Sequence, residues 1–273
     1  MTYKNNLLYN SLELPFYWCQ TWRSKQREVK QWRVEKVPYG PQRRQYALSI
    51  SHKEWPESET RKAAIYFHGG AWTFGSPEQF LPAARLFIEA GYQVIMPSHR
   101  RLPFHNFAAI YQDLEQLRDQ LLVGTEVEVI AGMSAGGQLA ASIGWRPEYW
   151  SAAGLAQPQK LILCGAVIDF DKMNLALGLR LLAGKPGSPT YKFANPADQF
   201  RIARSLPERH LFVHGPEDGT VAFDQLHGFY VSHKDQNPGF EKLWVKNGTH
   251  LDSCRWMYRE DEVGERVKAF LQK

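Results

Sequence analysis

Gly132-Met133-Ser134-Ala135-Gly136 satisfies the pattern GxSxG, in which a serine is flanked by residues too small to obstruct a tight turn. It follows the strand-like run Val127-Glu128-Val129-Ile130-Ala131 and precedes a segment of helical length. In that setting the turn lifts the serine oxygen above a sheet edge, where it can attack an acyl carbon. Outside that setting the same five residues would be an ordinary strand-to-helix turn.

A serine hydroxyl is a weak nucleophile until a base takes its proton, and histidine is the usual base because it titrates near neutrality. Among the nine histidines, His250 is the best placed, since it follows the run Glu241 to Lys246 and the turn Asn247-Gly248-Thr249, where a last strand delivers a side chain to the sheet edge. A carboxylate should lie between serine and histidine in chain order, just after a strand. His210-Leu211-Phe212-Val213-His214 reads as that strand, and the turn from Gly215 to Val221 supplies Asp218 as first choice, with Glu217 and then Asp224 behind it.

The attack also needs donors aimed at the oxygen on which negative charge develops. His68-Gly69-Gly70-Ala71-Trp72 follows the apolar strand Ala63 to Phe67, and its glycines allow the main chain to pass close to a substrate. The N–H groups of Gly69, Gly70 and Ala135 are the candidate oxyanion hole, while His68 is read as a histidine that holds the loop. Trp72 and Phe74 are candidates for an aromatic substrate-binding wall, although core packing is the more frequent fate of tryptophan.

The elements that must position these residues alternate. Strand-like runs occur at Ala63 to His68, Tyr92 to Pro97, Val127 to Gly132, Lys160 to Gly165, His210 to His214 and Glu241 to Lys246. Helical lengths occupy Pro77 to Ala90, Phe107 to Leu122, Ala135 to Gly144, Val221 to His233 and Met257 to Leu271. The apolar runs suit strands buried on both faces, so the fold class is α/β, a mostly parallel sheet with helices on both faces. Gln31 to Val37 and Arg44 to Ile50 are expected to add an antiparallel edge. Asp171 to Phe193, broken by Gly184, Pro186, Gly187 and Pro189, reads as an excursion over one end of the sheet, a small lid at 171–193.

Residues 1–273 are expected to form a single domain, with 1–35 as an N-terminal covering segment in which Trp18, Trp22, Val29 and Trp32 share a helical face beside Arg23, Lys25 and Arg27. The chain is 44% hydrophobic and 22% charged, which excludes disordered and fibrous classes. Of the net charge of +5, the first 62 residues hold 12 Lys or Arg against 6 Asp or Glu, so the basic excess is local and reads as a solvated edge rather than a nucleic-acid or membrane surface. Cys19, Cys164 and Cys254 are far apart and show no CxxC spacing, which argues against a disulfide framework and a zinc site. No run spans a membrane and no secretory signal is visible, so a cytoplasmic protein is expected.

With these pieces in order, the chain resembles the α/β-hydrolase fold from about Val37 to Phe270, and within it the hormone-sensitive-lipase-like esterases and the neighbouring kynurenine formamidase group. The HGG stretch is matched by His68-Gly69-Gly70-Ala71-Trp72, with Ala71 where lipase-like members carry a third glycine. The family pattern YRLAPEHPFPAALED runs here from His99 to Asp113 and retains Arg100, Pro103, His105, Phe107, Ala109 and Asp113, with His99 in place of tyrosine. Gly215, Asp218 and Val221 match a Gly-x-x-Asp-x-x-Val pattern, and Gly248 precedes the terminal histidine.

The resemblance implies a serine carboxylesterase acting on small, short-acyl or aromatic esters, with the catalytic triad Ser134, Asp218 and His250 and no metal or cofactor. The alternatives are an arylformamidase of the kynurenine formamidase kind and a non-catalytic binder of small molecules. The implied partner is a small ester or amide rather than a nucleic acid, and monomer and homodimer are equally compatible with the sequence.

Overall fold

The computed structural model describes residues 19, 30–56, 61–173 and 176–273. Eight strands form one sheet: β1 (Trp32–Pro38), β2 (Tyr46–His52), β3 (Ala63–Phe67), β4 (Gln93–Pro97), β5 (Val127–Met133), β6 (Lys160–Cys164), β7 (Arg209–His214) and β8 (Phe240–Trp244). Their spatial order is β1-β2-β4-β3-β5-β6-β7-β8. The six strands from β3 to β8 run parallel, and β1 and β2 add the antiparallel edge, with Ala47 opposite Pro97.

The central strands β3, β5 and β6 are buried on both faces because two apolar layers cover them. In β3, Ala63, Ile65 and Phe67 face one layer, built with α2 (Phe107–Leu117), α3 (Ala135–Gly144) and α8 (Asp224–His233). Ala64 and Tyr66 face the other, built with α1 (Arg85–Glu89) and α9 (Glu262–Gln272). This period of two is what a strand covered on both sides requires. Glu128 of β5 and Lys160 of β6 are the buried charged exceptions, and Glu128 receives hydrogen bonds from Lys160 Nζ and Tyr92 Oη at 2.7 Å each. Lys160 also donates to the carbonyl of Leu271 at 2.8 Å, so the buried pair ties α9 to the sheet.

Several boundaries differ from the sequence reading. Pro77 to Ala90 is not one helix but two short 3₁₀ turns followed by α1, since Pro82 opens its own turn and has no N–H to continue the previous one. Met257 to Leu271 begins later, at Glu262, where the Asp261 side chain accepts from Val263 N and caps α9. Short helices α4 (Pro147–Ser151), α5 (Ala176–Ala183), α6 (Pro189–Ala194) and α7 (Pro196–Ile202) were not separated in the sequence reading, and three of them start on proline. Trp32 opens β1, so it does not share a helical face with Trp18, Trp22 and Val29. Those three, with Arg23, Lys25 and Arg27, lie outside the described residues. Among the described residues, no helix is long and apolar enough to cross a membrane.

The chain leaving β4 is held by Asp113 of α2, which is fully buried. Its carboxylate accepts from Arg100 N at 2.6 Å, Arg100 Nε at 2.7 Å and Gln45 Nε2 at 2.7 Å. Removing one partner of a buried ion pair strands the other charge. Asp113→Ala should therefore lower stability by about 3–5 kcal/mol, read as a lower denaturant midpoint at unchanged slope. A change below about 1 kcal/mol would mean that Asp113 does not anchor this segment.

Candidate active site

The strand β5 ends at Met133, and Ser134 turns the chain directly into α3 with φ 55° and ψ −121°. A non-glycine residue at positive φ costs of order 1–3 kcal/mol and persists only where the surroundings enforce it. Here they do. A side chain at Gly132 would collide with the main chain of Gly136, and one at Gly136 would collide with the carbonyls of Phe67 and His68. The turn is therefore clamped between its own first helical residues and the end of β3. Ser134 N donates to Cys164 O of the neighbouring strand at 2.9 Å, and the residue is 9% exposed.

The loop after β3 lies against this turn. A Cβ built on Gly69 would sit 3.6 Å from Ser134 Cβ, which places the loop beside the serine. Thr73 N and Phe74 N both donate to Gly70 O at 2.9 Å, folding the loop into a tight turn in which Ala71 and Trp72 have positive φ of 50° and 58°. Gly70, at φ 134°, has no space for a side chain because Phe74 O occupies it. No described residue accepts a hydrogen bond from the N–H of Gly69, Gly70 or Ala135. Trp72 is buried and donates from Nε1 to Gln138 Oε1 of α3 at 2.9 Å, so its indole fastens the loop to the helix that follows the serine. Phe74 is 55% exposed.

Two loops converge on the other side. A side chain on Gly215, after β7, would collide with Gly248, after β8, and Glu217 N donates to Gly248 O at 2.9 Å. This close crossing brings Asp218 to His250, whose Nδ1 lies 2.7 Å from Asp218 Oδ2. Burial alone would push the Asp218 carboxyl upward, but the His250 charge and hydrogen bonds from His214 and His250 outweigh it and hold the group well below the usual carboxylate range. An ionised carboxylate only accepts, so Nδ1 carries the proton and a neutral His250 keeps Nε2 free as an acceptor. The His250 ring packs against Gly165, next in chain to the Cys164 that binds Ser134 N. No hydrogen bond joins Ser134 Oγ to His250 in this structure; such bonds often tighten only when substrate is bound.

Asp218 is thus buried and joined to the histidine. Glu217 is exposed, and Asp224 pairs with Lys172 at 2.8 Å. His214 has a role that the sequence reading left open: its Nε2 lies 2.9 Å from the same Asp218 Oδ2. The carboxylate is further gripped through Oδ1 by Thr220 N and Val221 N, both at 2.8 Å. The only sequence signal for His214 is its spacing of four from Asp218 across a glycine turn. Among the described residues, no group of three or more His, Cys, Asp or Glu side chains converges as a metal site.

With this geometry in view, comparisons with known proteins agree on the fold. Residues 64–177 match a family described as having the α/β hydrolase fold. A segment of 96 residues is 32% identical to a Mycobacterium tuberculosis protein named as an acetyl-hydrolase, LipR; the match spans 34% of this chain and 31% of that protein's length. Among solved structures, esterase B of Lactobacillus rhamnosis superposes with a TM-score of 0.70 at 18% identity, over 96% of this chain and 94% of that one. A truncated carbohydrate esterase from gut microbiota gives a TM-score of 0.73 at 16% identity, over 88% and 94%. An esterase of the planctomycete Thermogutta terrifontis gives 0.68 at 22% identity, over 87% and 93%. The chain has the α/β-hydrolase fold.

Several buried histidines are held un-ionised, two of them, His68 and His99, near the site and one, His210, at the far end of β7. His68 and His99 stack with ring centroids 5.4 Å apart, and burial is the main cause that lowers them, to about 3 and about 4. Burial likewise brings His210, which accepts from Trp145 Nε1, down to about 3. These imidazoles are neutral in the fold but protonated in the unfolded chain below about pH 6.5, so unfolding takes up protons there. Stability is full above that pH and should fall as the pH drops from about 6.5 toward 4, by about 1.4 kcal/mol per pH unit for each histidine. Denaturant titrations at successive pH values check this, and a flat profile down to pH 4.5 would contradict the neutral buried rings.

Proposed function

We propose that the protein is a serine carboxylesterase that hydrolyses small, short-acyl or aromatic esters. The observation that carries this reading is the His250 Nδ1 to Asp218 Oδ2 contact of 2.7 Å, made at the same sheet edge as the strained Ser134 turn. In the proposed reaction His250 Nε2 takes the Ser134 proton as Oγ attacks the ester carbonyl, and the oxyanion so formed is held by the N–H groups of Gly69, Gly70 and Ala135. Collapse expels the alcohol, which receives the proton from His250 and leaves an acyl-serine. Water then attacks the acyl carbon, giving its proton to His250, and Ser134 leaves with that proton as the acid is released. Asp218 stays ionised throughout and stabilises the imidazolium.

The preference for short groups rests on what covers the sheet edge. Phe170 packs edge-on against Trp72 at 6.3 Å and Tyr191 against Phe170 at 5.6 Å, so α6 is linked through aromatic rings to the oxyanion loop. A site covered in this way favours a short or flat acyl group over a long flexible one. The names carried by the similar proteins, acetyl-hydrolase and esterase, agree with the reading.

Turnover of 4-nitrophenyl acetate, butyrate and decanoate beside N-formylkynurenine tests it. The acetate and butyrate should give the higher kcat/KM, with the loss for decanoate appearing in that ratio. Ser134→Ala should lower kcat by on the order of 10⁴ to 10⁶. Preferential turnover of N-formylkynurenine would make the protein an arylformamidase using the same residues, and no turnover of any of the four would make it a binder.

A further inference from the structure

Beside the oxyanion loop lies a cavity of about 640 Å³ whose lining includes Lys36, Arg43, Arg44, Thr73, Arg100 and Arg101, and no acidic residue among the described ones. Its position follows from the topology. The turn between β1 and β2 sits at the same sheet edge as the C-terminal ends of β3, β4 and β5, because Ser98 N, just past β4, donates to Tyr46 O at the start of β2. Thr73 supplies the wall toward the site, one tight turn from Gly70. Arg101 binds that wall directly, donating from Nη2 to the Gly75 carbonyl, and Leu102 N donates to Trp72 O at 2.9 Å.

The charges of this cavity are unevenly neutralised. Arg100 is paired with Asp113, and Lys36 lies 3.8 Å from Glu78. Arg43, Arg44 and Arg101 have no ion-pair partner among the described residues. Arg101 also carries a buried Nε without a hydrogen-bond partner. Burial is the main cause that lowers its guanidinium, to about 10, and the neighbouring Arg44 charge adds to it. Arg43 and Arg44 are exposed and Arg101 is half-buried, and the planar forks of three guanidinium groups gathered at the rim of a cavity without an acidic lining match a carboxylate. Burial and the His99 charge are the main causes that lower His68, the residue that begins the oxyanion loop, and Arg101 and Arg44 act in the same direction.

We propose that this cavity receives a carboxylate carried by the substrate, so that the preferred esters are small and anionic. The inference rests on the esterase reading for its chemistry and on the cavity for its selectivity. On this proposal a substrate whose carbonyl lies between Ser134 and Gly69 runs past the Gly70 to Thr73 turn, with its terminal carboxylate at Arg43, Arg44 and Arg101.

Two matched pairs test it: 4-acetoxybenzoate against its methyl ester, with the charge on the leaving side, and monoethyl succinate against ethyl butyrate, with the charge on the acyl side. In at least one pair kcat/KM should favour the anion by roughly tenfold or more, the effect of a charge-assisted hydrogen bond. The Arg43→Gln/Arg44→Gln variant, altered only at exposed side chains, should lose that preference. Equal turnover within both pairs, or a preference that survives in the variant, would overturn the proposal and leave the esterase reading intact. Calorimetric titration of Ser134→Ala protein with the same four compounds reads the cavity without chemistry. If no ester is turned over but the anion of one pair still binds about tenfold tighter, and the variant loses this, the esterase reading fails and the cavity assignment stands. Equal binding within both pairs overturns it.

Discussion

The main chain at the end of β5 is packed so closely that only glycine fits two residues before and two residues after Ser134. Gly136 lies under the carbonyls of Phe67 and His68, and Gly132 lies under Gly136 itself. This contact fixes three things at once. It forces Ser134 to positive φ, it starts α3 at Ala135 with an unpaired N–H, and it sets the loop after β3 against the serine. The parallel sheet supplies the stiffness, because Ser134 N is tied to β6 through Cys164 and the flanking strands are buried on both faces. A strained turn of this kind stays strained only because a large core makes relaxation more costly than the strain.

Charge is the second constraint. The Asp218 carboxylate is buried, and it stays ionised because His214, His250 and two main-chain N–H groups converge on it. The nearby His68 and His99 are kept neutral by burial, while unpaired arginines line the cavity beyond Thr73. The sheet edge therefore carries one buried negative charge on the β7–β8 side and an excess of positive charge on the β2–β4 side, with the serine between them. Such a distribution suits a reaction in which negative charge moves onto a carbonyl oxygen.

Much of this was legible in the sequence because it rests on local rules. Runs such as Ala63 to Phe67 and Lys160 to Cys164 are apolar at every position or nearly so, which only a strand covered on both faces needs, and glycine at 132 and 136 marks a turn with no space for side chains. Chain order then placed Asp218 and His250. The parts that were not legible depend on contacts distant in sequence. The stretch from Pro77 to Ala90 has helical length, and beside the break that Pro82 makes, the turn around it is tied to the far end of the chain by Trp256 Nε1, which donates to Ala83 O at 3.3 Å. His214 looks like any strand-end histidine until the β7 turn folds Asp218 back onto it. The arginines at 43, 44, 100 and 101 are two ordinary surface pairs in the sequence, and they share a cavity only because β2 lies beside β4.

The central claim is that Ser134 is the group that becomes acylated, and labelling with a fluorophosphonate followed by intact mass and peptide mapping tests it most directly. The account predicts a single adduct, located on Ser134 and absent from Ser134→Ala protein. An adduct on a different residue, or labelling that persists unchanged in that variant, would contradict it.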